Sequence, residues 1–185
     1  MGPSRRGLLK TSAAAGVIAA TGLPAKAAAK RGGTLRMGLN GANISDSWDG
    51  RTHSDQFMVN MGHGTVFDCL TEVTAAGELV GELAESWEAS SDAKTWIFNL
   101  RKGVTFHNGK PFGADDVIES LGMHAEEGAK SAAKPIVAAI SDMKKMGAHQ
   151  VQFTLRAGNA DFPFLLSDYH ILMYPAGMID EAITK

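Results

Sequence analysis

Gly81-Glu82-Leu83-Ala84-Glu85-Ser86-Trp87-Glu88, followed by Thr95-Trp96-Ile97-Phe98-Asn99-Leu100 and then Ala114-Asp115-Asp116-Val117, is the stretch whose reading decides the fold. Trp87–Ser90 and Thr95–Leu100 flank the turn residues Ser91-Asp92-Ala93-Lys94, which predicts an antiparallel pair. Within the second strand Trp96, Phe98 and Leu100 share one face, and the period of two places that face on a core. At this spacing the aromatics are core residues rather than a stacking platform. His107-Asn108-Gly109-Lys110-Pro111 is turn chemistry. The helix that follows, 114–121, carries Asp115 and Asp116 in its first turn, where the helix dipole favours acids. Adjacent helical residues do not share a face, so the two carboxylates are helix-start acids and not an acid–base pair.

Working outward, Leu70–Thr74 and Leu79–Val80 around Ala75-Ala76-Gly77-Glu78 predict a second hairpin. Toward the N-terminus, Thr34–Leu39 alternates with Leu35, Met37 and Leu39 on one face and reads as a strand. A loop from Asn40 to His53 leads to Ser54, an expected N-cap for a helix with the apolar stripe Phe57, Met58 and Met61. Toward the C-terminus, Gly128–Lys134 is small and polar and reads as a mobile surface segment. Val151–Leu155 alternates cleanly and reads as a further strand. Strands and helices mix without a βαβ rhythm, which predicts an α/β domain with substantial antiparallel pairing.

Eighteen Lys and Arg against twenty Asp and Glu give a net charge of −2. Four of the bases, Arg5, Arg6, Lys10 and Lys26, precede residue 30 with no acid among them, so the rest of the chain is clearly acidic. An acidic body with 7% aromatic residues argues against nucleic-acid binding, which needs basic patches against phosphate. The start of the chain reads as an export signal. Arg5-Arg6 precedes the uncharged run Thr11–Ala25, too short for a bilayer span, and Ala25-Lys26-Ala27 offers a small-x-small cleavage pattern. Twin arginine before a weakly apolar stretch resembles a Tat-type leader, assigned to residues 1–29.

Motifs for catalysis are missing. Gly62-His63-Gly64 opens like a dinucleotide loop, but Phe67 stands where the third glycine belongs. There is no phosphate loop and no Gly-x-Ser-x-Gly elbow. The six histidines form no i,i+4 pair, so isolated histidines are the reading over a metal site. The single cysteine, Cys69, excludes an internal disulfide and a zinc cluster built on cysteines, and reads as a small buried apolar residue. No catalytic residue, metal ligand or cofactor is assigned.

The segment 81–117, from Leu83-Ala84-Glu85-Ser86-Trp87-Glu88 through Thr95–Phe112 to Ala114–Val117, closely resembles the signature of the family 5 bacterial extracellular solute-binding proteins, the dipeptide-, oligopeptide- and nickel-binding components of ABC importers. Gly32-Gly33-Thr34-Leu35 is similar to the family's first strand, Gln150–Leu155 to a later one, and Phe162–Leu166 with Tyr169–Pro175 to its helix and return strand. One departure is Gly113, where the family usually has Thr or Ser as helix cap. The resemblance implies a periplasmic-binding-protein-like, type II, two-lobed fold. Here it would comprise a leader (1–29), the start of the first lobe (30–65) and a smaller mixed α/β subdomain (66–185).

That resemblance further implies a monomeric periplasmic protein, exported by the Tat translocase, that captures a small, peptide-like solute between two lobes and delivers it to an inner-membrane permease without breaking bonds. It does not choose the ligand. The family's loop beside the cleft maps onto Arg51, Thr52, His53 and Ser54. Arg51 is the expected partner of a ligand carboxylate, and the hydroxyls are expected hydrogen-bond donors; the competing reading is a solvated loop whose Ser54 only caps a helix. Family members are much longer, so a chain ending at Lys185 is expected to bind no solute by itself. The alternative function is a Tat-exported, cofactor-containing enzyme or a stand-alone adaptor or sensor module.

Overall fold

The computed structural model describes residues 32–184, so the leader expected over residues 1–29, with Arg5 and Arg6, lies outside the described residues. The chain divides at Met37/Gly38 into two units. The described part of the first, 32–37, contains no strand or helix, with Leu35 and Met37 exposed. The strand expected over Thr34–Leu39 is therefore absent. Alternation alone does not make a strand: its N–H and C=O groups need a neighbouring ladder, and no described strand pairs with this segment.

In the second unit, helix α1 (Gln56–Gly62) leads into a hairpin of β1 (Thr71–Val73) and β2 (Leu79–Gly81), whose antiparallel register sets Glu72 opposite Val80. Next come β3 (Ala84–Ala89) and β4 (Thr95–Leu100), helices α2 (Ala114–Ala125) and α3 (Lys134–Ala138), and strands β5 (Ile140–Gly147) and β6 (Gln150–Leu155). Short helices α4 (Phe162–Leu165) and α5 (Ile179–Thr184) complete the order. Among the described residues no helix is long and apolar enough to cross a membrane.

Strands β3 to β6 form one antiparallel sheet in the order β3-β4-β6-β5. The two central strands alternate as their sequences predict. Trp96, Phe98 and Leu100 of β4 and Val151, Phe153 and Leu155 of β6 are all buried on one face, with Trp96 paired to Phe153 and Phe98 to Val151. Val117 and Leu121 of α2 join that core, and Phe162 of α4 sets its ring 5.5 Å from Phe153 and 6.2 Å from both Trp96 and Phe98. Each such side chain contributes roughly 1.5–3 kcal/mol by leaving water. On the other face Asn99 takes a bond from Gln150 and gives one to Ser86, at 2.8 and 3.0 Å, so that side of the sheet is polar.

Helix α2 begins as expected, with Gly113 as its N-cap. The Asp116 carboxylate, 1% exposed, accepts the backbone N–H of Gly113 and of Ala176 and bonds the Lys110 ammonium, whereas Asp115 is exposed and pairs with Lys145 at 2.6 Å. The glycine has a steric reason. A Cβ at Gly113 would stand 2.8 Å from the Ala148 carbonyl oxygen, which accepts the Ala114 N–H at 2.9 Å.

Three expectations need correction. Asp55, not Ser54, caps α1: its carboxylate accepts the Met58 N–H at 2.9 Å, while Ser54 is exposed. Both residue types cap equally well, so composition could not choose between neighbours. Gly128–Lys134 is not wholly a surface segment, because Ala133 is buried in the main core and Ser131 bonds His124. Finally, Tyr169–Pro175 forms no strand. Residues 171–175 are buried, and side chains replace the ladder: the Ser120 hydroxyl bridges both the N–H and the C=O of Tyr174, while Met173 N–H donates to the Asp68 carbonyl.

Candidate functional site

Residues 47–54 are shaped by Asp49. Its carboxylate accepts the Arg51 N–H at 3.1 Å and so caps a single 3-10 turn, Gly50–Thr52. The loop then docks on the buried 170–174 segment. Tyr174 Oη accepts the Gly50 N–H at 2.8 Å and donates to the Trp48 carbonyl at 2.7 Å. Burial pushes the Tyr174 phenol upward, so it stays a donor. Gly50 is required for this approach, since a Cβ there would lie 2.7 Å from the His170 carbonyl oxygen.

The four residues named from the sequence separate. Arg51 and Thr52 line a polar groove of ≈ 320 Å³ together with Asp49 and residues 126–130. His53 turns inward and is 3% exposed. Its Nε2 donates to the Ser47 carbonyl at 3.1 Å, its own carbonyl accepts His170 Nε2–H at 2.8 Å, and burial lowers its proton affinity. Ser54 is exposed and does not line the groove.

Arg51 is held in place by its own loop. Its Nε and Nη2 reach both oxygens of Asp49 at about 2.9 Å, and Nη1 lies 3.6 Å from Glu126. The Asp49 bond raises its already high proton affinity. A guanidinium has five N–H donors, and Asp49 engages one edge only. Among the described residues Nη1 makes no hydrogen bond, and its ion-pair partner is Glu126 on the far wall of the groove. Thr52 Oγ1 donates to the Asp49 carbonyl at 3.0 Å and keeps acceptor capacity. Asp49, Glu126 and Glu127 set negative charge against the positive charge of Arg51 and Lys130, which suits a ligand carrying both signs.

Sequence reasoning missed the far wall of this groove. Glu126, Glu127 and Lys130 stand some 75 positions from Arg51, and the walls are tied by the Arg51–Glu126 ion pair and by a backbone bond from Ala132 N–H to the Arg51 carbonyl at 3.1 Å. A second cavity of ≈ 350 Å³ is apolar and includes Trp48, Phe67, Phe106 and Met178.

Residues 78–183 match the family model described as bacterial extracellular solute-binding proteins, family 5 Middle. The chain belongs to this family. Among curated relatives, the nickel-binding periplasmic protein of Escherichia coli K12 is 35% identical over 100 residues, covering 54% of this chain and 19% of the relative. The dipeptide-binding protein of the same organism is 35% identical over 107 residues, 46% of this chain and again 19% of the relative. Among solved structures, NikZ from Campylobacter jejuni in complex with Ni(L-His) is 30% identical with a TM-score of 0.56, over 60% of this chain and 22% of that one. The chain thus matches about a fifth of the length of these relatives. The fold is that of periplasmic binding proteins, and the mixed α/β architecture with an antiparallel sheet agrees with the expectation from the sequence.

Proposed function

We propose that the chain is part of the periplasmic substrate-binding component of an ABC importer, one that captures a small peptide-like solute and hands it to a membrane permease. The observation that carries this reading is the family match over residues 78–183, together with relatives named for binding dipeptides and nickel in the periplasm. In this reading residues 30–65 begin the first lobe, 66–185 belong to its smaller subdomain, and 1–29 form a leader read by the Tat translocase. The protein acts as a monomer and performs no bond chemistry.

The polar groove supports a peptide-like ligand. The Arg51 guanidinium has more donors than its bonds to Asp49 use and suits a ligand carboxylate exchanging with Glu126, and Glu126 and Glu127 offer acceptors to an ammonium. Hinge closure over a solute is driven by contacts made only in the closed form.

Uptake of labelled dipeptides by cells tests this. Disrupting the gene should abolish accumulation. The intact gene should restore it, whereas a copy carrying Arg51→Ala, or Lys at both Arg5 and Arg6, should not. Undiminished uptake of every peptide after disruption would overturn the reading.

A further inference from the structure

We infer that His63, Cys69 and Glu82 form a binding site for a borderline-soft divalent cation of the zinc type. The three come from different elements that the fold brings to one point. His63 caps the C-terminus of α1, Cys69 lies two residues before β1, and Glu82 follows directly on β2. The backbone fixes the meeting. Cys69 N–H donates to the Glu82 carboxylate at 2.7 Å, and Leu83 N–H donates to the Cys69 carbonyl at 3.1 Å. An isolated parallel bridge joins the backbone of His63 to that of Phe67, just before Cys69.

The imidazole, thiol and carboxylate donor atoms all lie within 4.8 Å of one another, with His63 Nε2 3.8 Å from Glu82 Oε2. Ligand atoms around a tetrahedral zinc stand roughly 3.5 Å apart, as follows from bonds of about 2.0–2.3 Å. Side-chain rotation of about an ångström closes the difference. Cys69 forms the fully buried floor, while His63 and Glu82 keep 22% and 17% of their side chains exposed, which leaves an entry path.

Charge adds to the geometry. Asp68 and Glu72 act electrostatically on the same spot as Glu82, while the Arg101 guanidinium donates to the Glu82 carbonyl at 2.9 Å. A divalent cation would offset the negative charge of these carboxylates, with Asp68 or water in the fourth position. The donor set selects the metal. Mixed N, S and O ligands suit zinc, cobalt and nickel, whereas magnesium and calcium require all-oxygen shells. Among the described residues the Cys69 thiol makes one hydrogen bond, a 3.5 Å contact to the Asp168 carbonyl. Coordination would therefore release the thiol proton to solvent and form a metal–sulfur bond in its place, with no change of oxidation state.

The test titrates the chain with Co²⁺ alone and follows near-ultraviolet absorption, where sulfur-to-cobalt charge transfer reports a thiolate ligand. Unfolding is followed in parallel with Zn²⁺ or Mg²⁺. The expected result is a charge-transfer band, a rise in melting temperature with Zn²⁺ and none with Mg²⁺. Cys69→Ser should abolish the band, and His63→Gln, at a half-exposed helix end, should weaken binding by more than about tenfold. Circular dichroism checks that each variant is folded, and His63→Gln decides the question if Cys69→Ser is not. The absence of a band in the folded chain, or a zinc-induced shift unchanged in a folded variant, would overturn the site.

Discussion

Lowering the pH from about 7 to about 5 should destabilise this protein through His124. His124 sits in the last turn of α2 and is fully buried. Its Nδ1 lies 2.6 Å from Ser131 Oγ, while among the described residues Nε2 has no partner. Burial first, and the positive charge of Arg51 second, push its pKa from 6.5 down to about 4. Between those values the unfolded chain binds the proton that the folded chain refuses, so stability falls as pH drops through 6.5 and keeps falling to about 4. Integrating the linkage relation from about pH 7 to about pH 5 gives a loss of about 2 kcal/mol for this one group. His53, lowered by burial, acts in the same direction, while His63, raised chiefly by the Glu82 carboxylate beside it, opposes it. The variant His124→Asn isolates the effect, because Asn presents a polar atom near the position of Nδ1 and does not titrate. Urea midpoints measured at both pH values should show the parent losing about 2 kcal/mol more than the variant. Equal losses in both would refute the assignment of a buried, neutral imidazole.

Two further substitutions probe the packing. Trp96→Ala removes a ring 6% exposed whose Nε1 donates to the Ala93 carbonyl at 3.1 Å, and should cost about 3–5 kcal/mol in urea unfolding; an unchanged midpoint would contradict the core described above. Gly113→Ser restores the family's usual cap type, yet its Cβ would press on the Ala148 carbonyl oxygen. It should therefore lower the melting temperature, by the equivalent of about 1–3 kcal/mol, and a rise would show that the carbonyl yields.

The parts of the fold legible in the sequence are those where one side chain period meets one core. Strands β4 and β6 are central, so each alternates strictly between buried and half-exposed positions. Strand β5 pairs along only one edge and is exposed at Ser141, Asp142, Lys144, Lys145 and Met146. Its polarity protects an open edge from foreign strands and at the same time erases the pattern. The same limit governs the site. Arg51 and Thr52 were legible as polar residues in a loop, but their groove depends on residues 126–130 and on the Ala132–Arg51 bond, which no local period encodes. His53 had the composition of a ligand and the environment of a core residue, a difference set by His170 and Gly62, distant or invisible in a local window. The segment 171–175 makes the point most directly. Its apolar run fitted a strand, yet Ser120 and the Asp68 carbonyl already satisfy backbone groups of Tyr174 and Met173. With those groups bonded, a neighbouring strand would gain little by pairing there, so the choice between ladder and buried irregular chain was made by polar residues about 50 to 100 positions away.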